Sequence, residues 1–316
     1  MNNIITLEQT QLTNAQLLDF NLYESFFQFI DVKEKSIATY KRALKQFFIY
    51  MRENNISNPQ REDVLNFREA LKQDHKATTV QAYIVAVRLF FQWTSQIGKY
   101  PNIAEHIKGA KINREHKKDY LTANQVVKVL NKIDTTTLQG KRDYAIVMLM
   151  VTCGLRTIEV SRADIEDVST RGGNTVLYIQ GKGRDEKAEY VKLDSEVEDA
   201  IRDYLSERGQ ASLKSPLFAS TSHNSEGNRL STRSVSGIVK ECLKKAGFNS
   251  PRLSAHSLRH TTATINLLNK GTLEETQQLL RHTNINTTMV YLHHLQRETN
   301  NSEYRIAGAI KKARKG

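Results

Sequence analysis

The helical periodicity of apolar residues fades between residues 99 and 120, and this break constrains the fold of the chain more than any other feature. The segment carries Pro101, Gly109 and a set of basic residues, namely Lys108, Lys111, Arg114, Lys117 and Lys118. With 316 residues, the chain is long enough for two domains of ordinary size. We therefore expect a loosely ordered N-terminus (1–20), a helical domain (21–98), a basic linker (99–120), a second domain (121–295) and a C-terminal tail (296–316).

Two stripes of apolar residues predict a helical bundle before this break. One stripe is formed by Ile37, Tyr40, Leu44, Phe47, Phe48 and Met51, and the other by Val80, Tyr83, Ile84, Val87, Phe90 and Phe91. Their spacing is that of one face of a helix. Helical segments over residues 22–31 and 61–74 complete a predicted four-helix bundle with an aromatic core. Lys41, Arg42 and Lys45 lie largely outside the first stripe, so they either solubilise the bundle or face DNA.

The second domain is predicted to be mainly helical with a small β-sheet. Helices are expected over residues 122–133, 142–153, 195–208 and 232–246. Gly154 breaks the second of these helices. A β-branched and aromatic strand over 175–180 and a return strand over 188–193 predict a hairpin. Lys182 then lies at the tip of the hairpin, where a lysine is ordinarily no more than a solvated charge.

Histidines are concentrated near the C-terminal end, since five of the nine lie between residues 256 and 294. Ser254 is a suitable N-cap and Gly271 a suitable stop for a helix between them. On that helix His256, Arg259 and His260 have i, i+3 and i+4 spacing, so they share one face. The spacing predicts a cluster of ionisable side chains on one side of the helix.

Tyr291 lies on a further short helix, for which Asn284 is the predicted cap. The apolar stripe of this helix consists of Ile285, Met289 and Leu292. Tyr291 lies off that stripe by roughly a third of a turn, at ~100° per residue. We expect its ring to pack against protein and its hydroxyl to lie in a cleft.

The spacing of His256 and His260 is also that of a zinc pair, but the surrounding residues disfavour a metal. A metalloprotease helix carries Glu directly after its first histidine, whereas this chain has Ser257, and Arg259 adds a positive charge beside any cation. The chain also has no carboxylate cluster of the kind that holds two metal ions in a nuclease. We expect no metal site.

Nucleotide binding and cysteine chemistry are disfavoured as well. Gly181-Lys182 resembles the end of a P-loop, but Val176 stands at the required first glycine and Gly183 replaces Ser or Thr. Only two cysteines are present, Cys153 and Cys242, which excludes a disulfide framework and favours a packed thiol at Cys153. We expect no cofactor.

The charge balance points to a polyanion as partner. Lys and Arg number 46 against 34 Asp and Glu, which gives a net charge of +12. The first residues lack the basic and apolar segments of a signal peptide, and the longest apolar run, Ala145–Leu155, is too short to span a membrane. We expect a soluble, cytoplasmic protein without a membrane partner.

The residues that remain suit phosphate chemistry that uses no metal. A phosphodiester that undergoes displacement gains negative charge on its non-bridging oxygens, and arginine forks match those oxygens while staying charged. A tyrosine can be the nucleophile, and its phosphoester preserves the bond energy for religation. A lysine at a hairpin tip can donate a proton to the leaving oxygen.

Four segments, in order, resemble the motifs of the tyrosine recombinases, the phage-integrase and Xer class of site-specific DNA recombinases. They are Cys153-Gly154-Leu155-Arg156-Thr157-Ile158-Glu159, Gly181-Lys182-Gly183, His256-Ser257-Leu258-Arg259-His260, and Leu280-Arg281-His282 through Thr287-Thr288 to Tyr291. They resemble the T-G-L-R-x-x-E box, the β-hairpin lysine, the H-x-L-R-H box and the L-G-H…T-T…Y box. The match spans residues 121–295, and residues 21–98 resemble the core-binding domain of the family.

The resemblance implies a catalytic role for six residues. Arg156 and Arg259 would bind the scissile phosphate, and Lys182 would be the general acid toward the 5′-hydroxyl. His256 would assist proton transfer and His282 would orient the phosphate. Tyr291 would attack to give a 3′-phosphotyrosyl link, while Glu159 and His260 would support these groups.

The resemblance also implies an assembly and a fold. It implies a two-domain DNA clamp that acts as a homotetramer on two double-stranded DNA sites, through a Holliday junction, with an accessory DNA-bending protein as a further candidate partner. Two alternatives stay open: a type IB topoisomerase, which shares the chemistry, and a DNA-binding regulator without catalysis on the same scaffold. Arg281 departs from the usual Gly of the family, and Cys153 from its frequent Thr, so we expect Arg281 to contact DNA or to crowd its turn.

Overall fold

The computed structural model describes residues 21–111, 119–181 and 183–314. The chain divides into two compact units, Met1–Glu115 and His116–Gly316. The mainly helical fold with a small sheet that the sequence predicts is confirmed. In the described part of the chain, no helix combines the length and the hydropathy that are needed to cross a bilayer.

The first unit contains the predicted four-helix bundle. Its helices are α1 (Leu22–Phe29), α2 (Glu34–Glu53), α3 (Arg61–Asp74) and α4 (Ala77–Gln96). The two predicted stripes meet in its core, where Phe47 of α2 lies edge-on to Phe91 of α4 with ring centroids 5.8 Å apart. Phe26 of α1 packs in the same manner on Phe90, at 5.6 Å. Aromatic pairs of this geometry stabilise a core beyond the area they bury.

Residues 99–111, which their composition predicts to belong to a linker, pack against the bundle. Tyr100, Ala104 and Ile107 are buried in the same core as α1–α4. The Tyr100 hydroxyl donates to Asn58 Oδ1 at 2.6 Å, and Arg61 Nη1 donates to the carbonyl oxygen of Glu105. Pro101 and the turns around it remove the helical periodicity without removing the apolar contacts. Residues 112–118 lie outside the described part of the chain.

The second unit is organised around a buried helix. Its helices are α5 (Ala123–Leu130), α6 (Leu138–Cys153), α7 (Thr157–Arg162), α8 (Ser195–Arg208), α9 (Thr232–Lys245), α10 (Ala255–Leu268), α11 (Leu273–Leu280), α12 (Asn286–Thr299) and α13 (Ser302–Ala313). Every residue of α6 from Ala145 to Val151 is buried. A helix that is apolar all round belongs inside a domain, and α8, α9 and α10 pack around α6.

The sheet has three antiparallel strands in sequence order: β1 (Val168–Arg171), β2 (Asn174–Ile179) and β3 (Glu189–Lys192). β2 and β3 form the predicted hairpin. β1 was not predicted, because it is short and three of its four residues are exposed. Gly172 and Gly173, with φ of 57° and 75°, form the two-residue turn between β1 and β2, and this Gly-Gly pair is the sequence signal that indicates the strand.

Candidate active site

Gly154 ends α6 and directs the chain into α7. It adopts a left-handed conformation, with φ 60° and ψ 34°, which favours glycine. A Cβ atom here would lie 2.7 Å from Leu280 Cδ2, so a larger residue would displace the Leu280 side chain of α11. Two residues later Arg156 forms the N-cap of α7. The turn thereby brings Arg156 into the lining of a cleft.

A buried carboxylate, Glu159, orients Arg156. The backbone N–H of Arg156 donates to Glu159 Oε2 at 2.8 Å, and Arg156 Nη1 donates to Oε1 at 2.8 Å. Arg281 Nη2 donates to Oε2 at 3.0 Å. Burial raises the pKa of Glu159, but the cations of Arg281 and Arg156 lower it by more than burial raises it. The pKa of Glu159 therefore lies below its ordinary value. One ionised carboxylate therefore orients two guanidinium groups.

Arg259, on α10, is the second cation of the cleft and is only 1% exposed. Its Nη1 donates to the carbonyl oxygen of Gly154, and its Nη2 donates to that of Leu280. Burial, and then the nearby Arg156 and Arg281 cations, lower the pKa of Arg259 to about 9, which leaves it charged at neutral pH. Two fixed guanidinium groups side by side form a surface that suits an oxyanion.

The two histidines of α10 have different surroundings. His256 is exposed and lines the cleft, whereas His260 is buried. The ring of His260 lies edge-on to the ring of Tyr291, with centroids 4.5 Å apart and an interplanar angle of 86°. His260 therefore packs against the Tyr291 ring, whereas the exposed side chain of His256 is accessible to a substrate.

His282 follows α11 and is held by the helix that comes next. Its Nδ1 lies 2.8 Å from Thr288 Oγ1 of α12. Burial, and then the cations of Arg259, Arg156 and Arg281, lower the pKa of His282 to about 3. The imidazole is therefore neutral at neutral pH. Thr288 had no predicted role, and its place in the Thr287-Thr288 pair of the motif is the signal that could have assigned one.

Tyr291 is 5% exposed and lies on the buried face of α12 with Thr288 and Leu295. The apolar stripe of α12 is only half-buried, so the stripe is not the most deeply buried face of the helix. Tyr291 is buried because it packs in an apolar cluster with Ala263 of α10 and Leu280 of α11, and because its ring also contacts His260. Burial raises the pKa of Tyr291, while Arg259 and Arg156 oppose this rise. Its ring is nearly parallel to that of His282, at 6.3 Å and 16°.

These groups line a single cleft of about 440 Å³. Five of the six predicted site residues line it, namely Arg156, His256, Arg259, His282 and Tyr291. The sixth, Lys182, lies outside the described residues. Its neighbour Gly181 lines the cleft, and so does Arg184 from the same loop.

The other basic residues of the loop between β2 and β3 are paired with carboxylates. Lys187 Nζ donates to Asp164 Oδ2 and to Asp167 Oδ2, both at 2.6 Å. Burial lowers the pKa of Lys187, but these two partners raise it above the ordinary value. Arg184 Nη2 lies 3.4 Å from Glu189 Oε1. Neither side chain is in a state that releases a proton easily, since an arginine stays protonated in proteins.

Arg281 lines the same cleft, but its side chain is only 6% exposed and its guanidinium binds within the protein. The contact with DNA that the sequence suggests stays a prediction. Nη1 donates to the carbonyl oxygen of Leu279 at 2.6 Å, and Nη2 reaches Glu159. The backbone of Arg281 is left-handed, with φ 53° and ψ 49°, and ends α11.

Cys153 is a buried thiol whose Sγ lies 3.4 Å from the carbonyl oxygen of Lys192. Burial raises its pKa to about 12, which makes it inert as a nucleophile. Among the described residues, no group of three or more His, Cys, Asp or Glu side chains is arranged to hold a metal ion.

Comparison with protein families gives two matches. A model of the phage integrase family matches residues 119–298, and a model of the phage integrase N-terminal SAM-like domain matches residues 24–97. The tyrosine recombinase XerC of Pelobacter propionicus is 32% identical over 266 residues, which cover 82% of this chain and 84% of the relative.

Two solved structures share the fold. The XerH site-specific recombinase, bound to its palindromic difH substrate in a post-cleavage complex, superposes with a TM-score of 0.69 at 21% identity, over 96% of this chain and 92% of that chain. A lambda integrase tetramer bound to a Holliday junction gives a TM-score of 0.66 at 16% identity, over 86% of this chain and 75% of that chain.

Proposed function

Because the chain belongs to the phage integrase family of tyrosine recombinases, we propose that it cleaves and exchanges DNA strands at specific sites through a covalent 3′-phosphotyrosine on Tyr291. The observation that carries this proposal is the cleft that Tyr291 shares with Arg156, Arg259, His256 and His282. Its volume of about 440 Å³ is large enough to admit a phosphodiester group.

Binding of the scissile phosphate is the first step. Arg156 and Arg259 contact its non-bridging oxygens, and their geometry is set before DNA arrives by Glu159 and by the carbonyl groups of Gly154 and Leu280. Donors that are already oriented toward a developing charge need no reorganisation during the reaction. This arrangement supports phosphate binding by the two arginines.

His282 acts on the same phosphate as a neutral donor. In this assignment Nδ1 accepts a hydrogen bond from the Thr288 hydroxyl, whose Oγ1 lies 2.8 Å away, and Nε2 carries the proton. Nε2–H then donates to a non-bridging oxygen of the phosphate. The low pKa of His282 supports a neutral imidazole, which has one N–H donor to offer.

The chemical step conserves atoms and charge. Tyr291 Oη gives its proton to His256 and attacks phosphorus, so that an Oη–P bond forms while the bond from phosphorus to the 5′-oxygen breaks. Lys182 protonates the 5′-oxygen as it leaves. The raised pKa of Tyr291 makes an acceptor such as His256 necessary at neutral pH. Religation is the reverse attack by a 5′-hydroxyl on the phosphotyrosine.

Lys182 is assigned as general acid by its position in the sequence and by the state of its neighbours. Within its loop Arg184 is paired with Glu189, and Lys187 is paired with Asp164 and Asp167. Lys182 lies between Gly181 and Gly183, and Gly181 lines the cleft. These facts support Lys182 as the proton donor of the loop.

On a larger scale, we assign the bundle of residues 21–98 to DNA binding beside the catalytic domain of residues 121–295, so that the two domains clamp double-stranded DNA. The net charge of +12 suits such a partner.

We also propose a homotetramer on two DNA sites, in which α13 docks on a neighbouring subunit. We further propose a cytoplasmic location, where DNA is accessible. An accessory DNA-bending protein is a candidate further partner.

The alternatives are less well supported. Both a type IB topoisomerase and a DNA-binding regulator without catalysis would be compatible with a helical two-domain fold. The family and the relatives of the chain are recombinases, and pure DNA binding needs no nucleophile. The experiment below separates all three.

The test starts with the recombination site. The protein is incubated with sheared DNA, covalent adducts are isolated under denaturing conditions, and the attached DNA is sequenced. A suicide substrate built on this site should form an adduct with wild type and none with Tyr291→Phe, while both bind it equally. Tyr304→Phe is the matched control, because Tyr304 is 78% exposed on α13.

Each alternative has its own outcome in this test. Adduct formation without recombinant products, together with relaxation of supercoiled DNA, would indicate a topoisomerase. Binding without any adduct would indicate the regulator. An adduct that persists in Tyr291→Phe would assign the nucleophile to another residue.

A further inference from the structure

Arg281 occupies a backbone conformation that disfavours it. Its φ of 53° lies in the left-handed region, which disfavours residues other than glycine because their Cβ atom crowds the backbone there. Glycine is the residue that ends helices in this conformation without that cost. An arginine here is therefore expected to contribute something through its side chain that glycine cannot.

The side chain of Arg281 connects the end of α11 with the start of α7. Nη1 donates to the carbonyl oxygens of Leu279, at 2.6 Å, and of Cys153, at 3.3 Å. Nη2 donates to the carbonyl oxygen of Gly154 at 3.3 Å and to Glu159 Oε2 at 3.0 Å. Segments more than 120 positions apart in the chain are thereby fixed to one guanidinium group.

Glu159 extends this connection to Arg156. Its Oε2 accepts from both Arg281 and the backbone N–H of Arg156, and its Oε1 accepts from Arg156 Nη1. Glu159 is fully buried, so its charge is shared between these two cations and is not screened by water. If Arg281 were removed, Glu159 would keep one cationic partner and would be free to shift around it.

Arg281 also lines the cleft and contributes its positive charge there. The ionisable groups that line the cleft with His282 are Arg156 at the start of α7, His256 and Arg259 from α10, Arg281 after α11, Tyr291 from α12, and Arg184 and Glu189 from the hairpin. His260 adjoins the Tyr291 ring. Arg281 precedes His282 directly, and its positive charge is one of the three arginine charges that disfavour a proton on that imidazole.

We propose that Arg281 is a positioning residue of the active site: through Glu159 it fixes the guanidinium of Arg156, and it adds a positive charge to the cleft directly before His282 in the chain. The inference rests on the proposed function, because it assigns Arg281 to the same phosphate-binding cleft. It assigns no contact between Arg281 and DNA.

The central variant is Arg281→Gly, which suits the left-handed backbone and removes the connection. On the suicide substrate, the rate of adduct formation at saturating DNA should fall about 10–100-fold, because a small misplacement of a phosphate ligand has an effect of this order. The DNA concentration at half-maximal rate should stay within about twofold, since many other phosphate contacts determine affinity. Arg281→Lys, which keeps the charge without the fork, should be intermediate.

Lys270→Gly is the matched control. Lys270 is an exposed cation of the same unit with φ 69°, so the substitution removes a charge and relieves a left-handed backbone away from the cleft. It should leave the rate unchanged. Titration of the active fraction and thermal unfolding separate a slower active site from a smaller folded population.

Two further measurements test whether Arg281 affects the cleavage rate through Glu159 and whether its charge acts on His282. If Arg281 acts through Glu159, Glu159→Gln and the double variant Glu159→Gln/Arg281→Gly should have rates within about twofold of each other, as expected for two residues of one coupled unit. In the DNA-free protein, the NMR titration midpoint of the His282 imidazole should rise in Arg281→Gly and stay constant in Lys270→Gly.

Cleavage by Arg281→Gly within about twofold of wild type, effects of Arg281 and Glu159 that multiply independently, or an unchanged His282 midpoint would each overturn the proposal. Absence of any adduct with the wild-type chain would instead refute the proposed function. The His282 titration needs no DNA, so it would still decide in that case whether Arg281 is coupled to the cleft.

Discussion

The core of the bundle and the interior around α10 are both tightly buried, but they are built from opposite kinds of residue. The bundle is filled by apolar and aromatic side chains such as Phe47, Phe67 and Phe91, all at most 1% exposed. In α10, by contrast, every residue from Ser257 to Thr264 is buried, and most of them are polar. The chain therefore contains one interior that is stabilised by the hydrophobic effect and another that is stabilised by specific hydrogen bonds.

Most buried polar groups of this interior have hydrogen-bond partners, whereas Arg281 Nε has none. Thr262 Oγ1 donates to the carbonyl oxygen of Val151 at 2.6 Å, and Thr261 Oγ1 accepts from the backbone N–H of Leu121 at 2.9 Å. A buried polar group without such a partner typically costs about 1–3 kcal/mol. We therefore expect substitutions in the bundle to change stability and substitutions at the cleft to change chemistry, and the following predictions test that contrast.

After the complete loss expected for Tyr291→Phe, the largest effect is expected for Lys182→Ala, with adduct formation slower by about 10²–10⁴-fold, the typical contribution of general acid catalysis. Stability should not change. A substrate with sulfur at the 5′-bridging position has a better leaving group and should restore cleavage. Lys192→Ala, which removes an exposed lysine from β3, is the control. Equal defects on both substrates would mean that Lys182 only binds DNA.

Phe47→Ala should show the opposite behaviour. Truncation of a buried phenylalanine lowers the free energy of unfolding by about 3–5 kcal/mol. Trp93 is the only tryptophan of the chain and lies in the bundle core, so its fluorescence during urea unfolding reports on this unit. The rate of adduct formation should remain normal where the variant is folded.

Phe29→Ala is the control for the bundle, because Phe29 is 60% exposed, and its effect should stay within about 0.5 kcal/mol. A Phe47→Ala variant that unfolds like Phe29→Ala would remove the distinction between a tightly packed bundle and its surface.

A smaller effect concerns pH. The pKa of His282 is lowered in the folded state from 6.5 to about 3, so between these values the unfolded chain binds more protons than the folded one. Stability from this group is therefore present above about pH 6.5 and is lost as the pH falls toward 3. His282→Gln should weaken the acid sensitivity of the second unit, measured by hydrogen exchange in α10 and α12.

The exposed His223 provides the matched substitution, His223→Gln, which should leave the acid sensitivity as in wild type. If the two variants respond alike, His282 does not titrate as the cleft geometry requires.

The same contrast explains what the sequence could predict. Periodicity identified the bundle, because burial there follows from apolar character alone. Phe47 and Phe91 could be assigned to the core without knowledge of the side chains that they contact. Motifs located Arg156, Arg259 and Tyr291 along the chain. Periodicity did not place Tyr291 on the buried face, because that burial depends on contacts with α10 and α11, including the ring of His260. Nor could it assign Arg281, whose partner Glu159 lies 122 positions away.

The last prediction concerns α13, which belongs to neither interior. Its apolar residues Ile306 and Ile310 are 61% and 50% exposed, although an isolated helix of this length is marginal in water. Docking on a second copy of the chain would bury them and would link each Tyr291 to the next subunit of a cyclic assembly. Deletion of residues 303–316 should therefore leave binding of one half-site nearly intact and impair assembly and recombination, as measured by gel-shift titration on one and two half-sites. The double substitution Ile306→Ser/Ile310→Ser should reproduce the defect without shortening the chain, since exposed residues contribute little to the stability of a single subunit. If the truncated chain assembles and recombines like wild type, α13 is not the connection between subunits.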